Sequence, residues 1–375
     1  MIVMGFVLVL AVLASAFAIN MKVEAILARN AKSEADVEWL CRSGVELAKY
    51  MLASQLSNNQ EPYDSLNQSW AGGPGSTNGI NPLLDSLSLT NAGWAPNTVL
   101  GLLFPEEDPG PGVQCKIEII DLERKYNINR AAPRTVQQQA EIGRWPLKNA
   151  FVLMGIDTSL HDYLIDGILD WCDVDDDHKV NGAESDYYQS LTPPYSAKNG
   201  PIDDLKELLL IRNITPKMYW GNRTNQLANS ALTASPIPTA EEDEDEPDYP
   251  VGLVDLYTPI SVGYININTA SLEVLQLLPG MDENRAAFII NRRAGFDAVE
   301  GTADDEPYTN IAEIRDAPSS QPPQAIANAR RYLSVRSSTF QVTVTAQMRS
   351  QTRTLVAVLS RKSPTEVPIL YTYWK

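Results

Sequence analysis

Histidine and cysteine are scarce in this sequence, with two and three copies in 375 residues. His161 and His178 stand in no zinc spacing, so a histidine-based catalytic site is not expected. Cys41, Cys115 and Cys172 are too few for a disulfide scaffold; one pair is possible, and Cys115–Cys172 is the expected one. Positive charge is short too, 30 Lys and Arg against 47 Asp and Glu, a net −17. Such a chain repels phosphate, which argues against a general nucleic-acid binder. Met1 to Met21 carry no charge at all. A cleaved signal peptide would need a basic region before the apolar run and a small-residue cleavage site after it, and both are missing.

What is present begins with that run. Residues 1–21 are apolar over a length that spans a bilayer as one helix. From Lys22 the hydrophobicity turns helical, with Val37, Leu40, Cys41, Gly44, Leu47, Ala48, Met51 and Leu52 on one stripe. The membrane helix is therefore expected to continue as an amphipathic helix over 22–58, ending near Asn58-Asn-Gln-Glu-Pro62. Its outer half needs something to pack on.

The most informative stretch is Trp171-Cys-Asp-Val-Asp-Asp-Asp-His-Lys-Val-Asn-Gly-Ala-Glu184. Counted from Asp173, carboxylates fall at positions 1, 3 and 5 (Asp173, Asp175, Asp177), with Lys179 at 7, Asn181 at 9 and Glu184 at 12. That is the ligand spacing of a twelve-residue calcium loop, and hard oxygens without thiolate suit that cation. Position 7 ligates through its carbonyl, so a lysine is no objection there. Position 6, usually a glycine with positive φ, is His178, so the loop is EF-like in spacing rather than in backbone. The plain alternative is a solvated acidic loop capping the next helix. Asp186, Asp203 or Glu207 could complete a second site.

Tyr63 to Gly112 is rich in Gly, Asn, Pro and Ser and reads as irregular surface chain. Val113 to Ile120 alternates as a strand. Helices follow, with Leu164, Ile165, Ile168 and Leu169 as a buried face. The Glu241–Glu246 block of like charge is expected to be a mobile loop. Tyr264-Ile-Asn-Ile-Asn-Thr-Ala270 followed by Val274-Leu-Gln-Leu-Leu-Pro-Gly280 echoes Tyr126-Asn-Ile-Asn129 with its later helices around Gly155, which suggests two related lobes. Helix–Leu-Pro-Gly–helix is also a helix-hairpin-helix pattern, whose turn can hold a DNA phosphate. Here Asp282 and Glu283 stand where phosphate would sit, so a structural hairpin is the preferred reading. Phe340, Val342 and Val344, then Leu355 to Leu359, then Ile369 to Trp374 form three further strands. With 113–120 they make a small antiparallel sheet whose apolar face the outer half of the N-terminal helix can cover. The fold class is α+β: a long N-terminal transmembrane and spine helix on a small antiparallel sheet, with a large mainly helical insertion. The segments are 59–129 and 336–375 for the sheet domain and 130–335 for the insertion.

Together with Asp170-Trp-Cys-Asp173, Asn181-Gly-Ala-Glu184, Pro193-Pro-Tyr195 and Asn266-Ile-Asn-Thr-Ala270, this architecture closely resembles the general secretion pathway protein K family, the largest minor pseudopilins of type II secretion systems. The resemblance covers nearly the whole chain. It implies a pilin-like, non-enzymatic protein, processed by prepilin peptidase and anchored in the inner membrane with its globular part in the periplasm. It implies a role at the pseudopilus tip with the minor pseudopilins I and J, an insertion domain that binds calcium, and no nucleic-acid partner. Pilins mostly carry a glutamate at mature position 5. With Met1 as the mature start that position is Gly5, as in the K subunit, and Gly5-Phe6 is an alternative cleavage point. Two other classes of function are weaker. A membrane-anchored helix-hairpin-helix DNA-binding protein of the competence type would need a basic face. A hydrolase would need a Ser/His, Cys/His or two-metal constellation.

Overall fold

The computed structural model describes residues 2–74, 114–133, 135, 144–221, 247–316, 327–348 and 351–375. The Glu241–Glu246 run and residues 75–112 lie outside them. Helix α1, Ile2–Ser57, is continuous over 56 residues, roughly 80 Å at 1.5 Å per residue. It is the one helix among the described residues long and apolar enough to cross a membrane. The described residues of its first half are exposed. From Ser33 onward every third or fourth residue is buried, and Val37, Leu40, Cys41, Val45, Ala48 and Leu52 form the seam.

That seam lies on a four-stranded antiparallel sheet. Its strands are β1 (Gln114–Asp121) and, near the C-terminus, Thr339–Met348, Gln351–Ser360 and Ile369–Trp374, in spatial order as named. The first two pair in register from Gln114↔Gln347 to Asp121↔Phe340. Period-2 alternation turns Phe340, Val342, Val344 and Ala346 onto the helix, where they are fully buried. Cys115 joins this helix–sheet core, whereas Cys172 belongs to the second core described below. All three cysteines are free. The expected Cys115–Cys172 bridge is therefore corrected: a disulfide needs its Cα atoms within about 7 Å, and these thiols sit in different cores.

Between β1 and the strand beginning at Thr339, the chain builds a second hydrophobic core with members from Tyr126 to Leu333. Its elements, in chain order, are β2 (Tyr126–Asn127), α2 (Ile128–Ala131), α3 (Trp145–Met154), α4 (Thr158–Cys172), α5 (Ser185–Gln189), α6 (Pro216–Trp220), α7 (Leu253–Leu256), β3 (Tyr257–Thr258), β4 (Ile265–Asn266), α8 (Leu272–Gln276), α9 (Glu283–Arg293) and β5 (Leu333–Ser334). The C-terminal strands are then β6, β7 and β8.

The insertion contains one plan used twice. β2 pairs in parallel with β3, and β4 with β5. Asn127 Oδ1 accepts the Asn129 amide at 2.9 Å, as Asn266 Oδ1 accepts that of Asn268 at 2.9 Å. Asn129 clamps both backbone groups of Ile202, at 2.7 and 2.9 Å. Asn268 clamps Tyr308 in the same way, at 2.8 and 2.9 Å. Each clamp is followed by a 3-10 helix, Leu205–Leu210 or Ile311–Asp316. Each helix hairpin turns at a left-handed glycine, Gly155 (φ 75°) or Gly280 (φ 76°). Asp157 and Asp282 then cap α4 and α9.

The two cores meet at a buried polar node. Asp121 Oδ2 accepts from Thr269 Oγ1 at 2.6 Å, Ser337 Oγ at 2.6 Å and Asn266 Nδ2 at 3.2 Å. Asp64 pairs there with Arg361, both side chains 1% exposed. Glu123, beside it, accepts the Ser338 amide at 3.0 Å. Burial, then the charge of Asp121, push the Glu123 carboxyl up to about 8. The folded chain therefore keeps a proton that the unfolded chain releases near its ordinary value of 4.5. This contribution to stability is complete below the unfolded value and is lost as pH rises through about 8. Thermal melts of Glu123→Gln and wild type across pH 5–9 are expected to show wild type losing more melting temperature toward the alkaline end. Parallel curves would rule out a titrating Glu123.

Candidate functional site

The acidic loop leaves α4, whose last turns carry Asp166 and Asp170 and whose C-cap is Asp173, at spacings of four and three. All three are buried, Asp170 completely. They stand at the C-terminal end of the helix, where the backbone dipole already presents negative potential, so this face requires a cation. Arg144 pairs with Asp166 on one side. On the other, Lys179 curls back from the loop, with Nζ 2.9 Å from Asp170 Oδ1 and 2.5 Å from Asp173 Oδ2. The Lys179 amide also donates to Asp170 Oδ2 at 3.0 Å. Gly182 passes so close that a Cβ there would sit 1.8 Å from Asp170 Oδ2.

Glu184 closes the loop as the residue preceding α5, buried, with neither carboxylate oxygen hydrogen-bonded. Asp173 Oδ1 is likewise buried without a partner. Orphaned buried carboxylate oxygens are costly unless something charged or polar meets them. Burial, followed by the charges of Asp170, Asp173 and Asp176, pushes Glu184 up to about 8. Burial also raises Asp170 and Asp173, against the lowering effect of Lys179. Burial alone would lower Lys179, but its bonds to Asp173 and Asp170 outweigh that and raise it. An aromatic wall backs the loop: Trp171 meets Tyr188 edge-on at 5.3 Å, and Tyr188 stacks on Tyr195 at 5.2 Å.

Of the six residues expected to hold a metal, Asp173, Lys179 and Glu184 gather at this face. Asp175 and Asp177 are exposed, and Asp175 Oδ1 only accepts the Asp177 amide at 3.2 Å. The Asn181 side chain and backbone amide both turn to Asp166 Oδ2, at 3.3 Å. The Lys179 carbonyl accepts from the Gly182 amide at 3.1 Å, and His178 does not take the positive φ of an EF-hand turn. Among the described residues no three His, Cys, Asp or Glu side chains converge on one metal point. The Lys179 ammonium fills the position where Asp170 and Asp173 converge. The donor set itself, hard carboxylates with unpaired oxygens, fits calcium chemistry. Asp166 and Asp170 were absent from the expected set, although their spacing from Asp173 on a helix was readable. Of the second-site candidates, Asp203 and Glu207 are both held by Lys198 at 2.7 Å, and Asp186 accepts the Tyr187 amide at 2.7 Å.

The hairpin turn at Gly280 is self-contained. Arg285 donates to the Gly280 carbonyl at 2.6 Å, and Asp282 caps the Arg285 amide at 2.9 Å. An aspartate thus occupies the helix N-terminus that a DNA phosphate would use. Nothing supports the DNA-binding alternative.

Residues 124–221 match the family model of type II secretion system protein K, in its first domain. A curated Escherichia coli (strain K12) protein whose name carries the same protein K designation is 40% identical over 110 residues. That alignment covers 29% of this chain and 34% of the relative, so the matched region spans about a third of the relative's length. A chain in the crystal structure of the GspK-GspI-GspJ complex from the enterotoxigenic Escherichia coli type 2 secretion system shares the fold. Its TM-score is 0.61 at 16% identity, over 93% of this chain and 99% of that one. The shared fold is α+β: a long apolar helix on a small antiparallel sheet. Within it, the stretch from the end of β1 through α6 is similar to the first domain of type II secretion system protein K.

Because Gly182 packs against Asp170, Gly182→Ala is expected to displace that carboxylate and break its bonds to Lys179. The expected loss is about 2 kcal/mol or more of unfolding free energy. Denaturant unfolding within 0.5 kcal/mol of wild type would show that the contact can relax.

Proposed function

We propose that this chain is the K-type minor pseudopilin of a type II secretion system, a structural subunit rather than an enzyme. Its α1 anchors it in the inner membrane, its globular part faces the periplasm, and it joins I- and J-type minor pseudopilins at the pseudopilus tip. The observation that carries this reading is a single helix that begins as a membrane-length apolar segment, ends as the spine of a four-stranded sheet, and carries the protein K domain inserted between β1 and β6. In that role α1 would pack beside the helices of neighbouring subunits, and the bulky insertion would block addition of a further subunit above it. Prepilin peptidase is the processing enzyme this role requires. The match to a chain from a GspK-GspI-GspJ complex supports the choice of partners.

Calcium is the proposed ligand of the α4 face and the loop after it. Asp173 and Glu184 are its principal holders, with Asp170 beside them and with Asp175, Asp177, Asn181 and the Lys179 carbonyl as the outer members of the sequence-based set. Its double charge would balance buried carboxylates and fix the loop against α4.

Co-expression with the I- and J-type subunits of the same system is expected to yield a complex containing all three that survives size-exclusion chromatography in detergent. Persistent absence of this chain from an I–J complex would overturn the assignment. Calcium is expected to raise the melting temperature of the full chain in detergent by several degrees. Asp173→Ala or Glu184→Ala is expected to lose that rise, and a rise untouched by both variants would place the ion elsewhere.

A further inference from the structure

Among the described residues, Lys179 is the one cation lodged among the buried carboxylates of the loop. Its ammonium bridges Asp170 and Asp173, whose side chains are 0% and 2% exposed, while its own side chain remains 23% exposed. We propose that Lys179 is an internal counter-ion that holds this face when metal is absent and swings out when calcium enters, so that it sets the calcium affinity. The inference rests on the calcium reading above.

Three observations carry it. First, the lysine and a metal compete for the same oxygens. A calcium ion sits 2.3–2.6 Å from its carboxylate oxygens, while Nζ is already 2.5 Å from Asp173 Oδ2. An ammonium and a divalent cation on one buried carboxylate repel strongly where little water screens them. Second, departure of the ammonium frees Asp170 Oδ1 and Asp173 Oδ2. These join Asp173 Oδ1 and both Glu184 oxygens, which have no partner. These are carboxylate oxygens of the kind a hard divalent cation selects, and since their side chains do not converge on one point with the lysine in place, the ion would have to draw them together as the lysine leaves. Third, the exchange has a path. The partly exposed stem can rotate its charged end into water while the Lys179 amide keeps its bond to Asp170 Oδ2 at 3.0 Å, so the loop backbone need not move. The other cation on this helix face, Arg144, is engaged with Asp162 and Asp166.

The test is isothermal titration of calcium into the full chain in detergent, with metal-free melting as a second readout. Lys179→Met keeps the apolar stem and removes the charge. It is expected to bind calcium at least tenfold more tightly than wild type and to melt at a lower temperature in chelator, with calcium restoring the difference. Lys179→Gln, which can still hydrogen-bond a carboxylate, is expected to shift affinity in the same direction and serves if the Met variant does not fold. Lys362→Met, which removes an exposed pair with Glu366 between β7 and β8, is the control and is expected to bind as wild type does. Equal or weaker binding by both Lys179 variants, with wild type still binding calcium, overturns the counter-ion role and leaves the calcium reading standing. No calcium binding by wild type or by either variant overturns both.

Discussion

The carboxylate of Asp121 is the point on which this architecture depends. It sits at the last residue of β1, fully desolvated, and collects hydrogen bonds from Asn266, Thr269 and Ser337. Those three partners come from the second lobe of the insertion and from the segment that leads back into β6. Asn266 also donates to the Asp64 carbonyl at 3.1 Å, and Ser337 donates its amide to the Asp64 side chain at 2.8 Å. Arg361, at the end of β7, closes the node by pairing with Asp64 and donating to the Ser337 carbonyl at 2.6 Å. The low local dielectric strengthens each of these bonds and penalises each vacancy, of which the node keeps two, at Asp64 Oδ1 and Arg361 Nε. The node fixes the relation between helix–sheet core and insertion through directional bonds, where apolar contact alone would tolerate sliding.

The paired plan of the insertion explains why its acidic loop lies where it does. In both lobes a helix hairpin, turned by a left-handed glycine and capped by an aspartate, is followed by a connection leading to an asparagine-clamped backbone and a 3-10 helix. In the second lobe that connection satisfies itself: Asp304 accepts the amides of Phe296 and Asp297 at 2.8 and 3.0 Å, and Asp305 accepts that of Gly301 at 2.8 Å. In the first lobe Asp175 and Asp177 face water, while Glu184 turns inward toward the carboxylates at the C-terminal end of α4, where like charges and the helix dipole add. The same scaffold position is thus a closed loop in one lobe and a cation-requiring face in the other.

The long elements were legible in the sequence because their periodicity reports burial directly. The stripe through Val37, Leu40, Cys41 and Ala48 is the observed seam of α1, and the alternation of Phe340, Val342 and Val344 is the observed inner face of β6. The repeated Asn-Ile-Asn motif was visible too, but not what it does, because its second asparagine bonds to backbone 73 or 40 residues away. The acidic loop was legible as a charge cluster, but not which of its side chains turn toward α4. Counting alternate positions places Asp175 and Asp177 inward, which assumes the tight turn that glycine gives at position 6. His178 does not supply it, so Lys179 and Glu184 point in while Asp175 and Asp177 face water. The Cys115–Cys172 pairing failed because spacing along the chain carries no information about which of two cores a small apolar side chain enters.

How so large an insertion coexists with a stable sheet follows from where it enters and leaves. β1 and β6 are antiparallel neighbours, and Asp121, the last residue of one, faces Phe340, at the start of the other. The whole insertion therefore occupies the place of a hairpin turn. Closing a longer loop at a hairpin costs little more than closing a short one, because the entropy grows only with the logarithm of its length. The insertion then supplies its own core, so that closure is made between ends already held close together. Asp121 and Ser337, bonded across that entrance at 2.6 Å, convert a long connection into a short one, and the sheet experiences a domain of this size much as it would a turn.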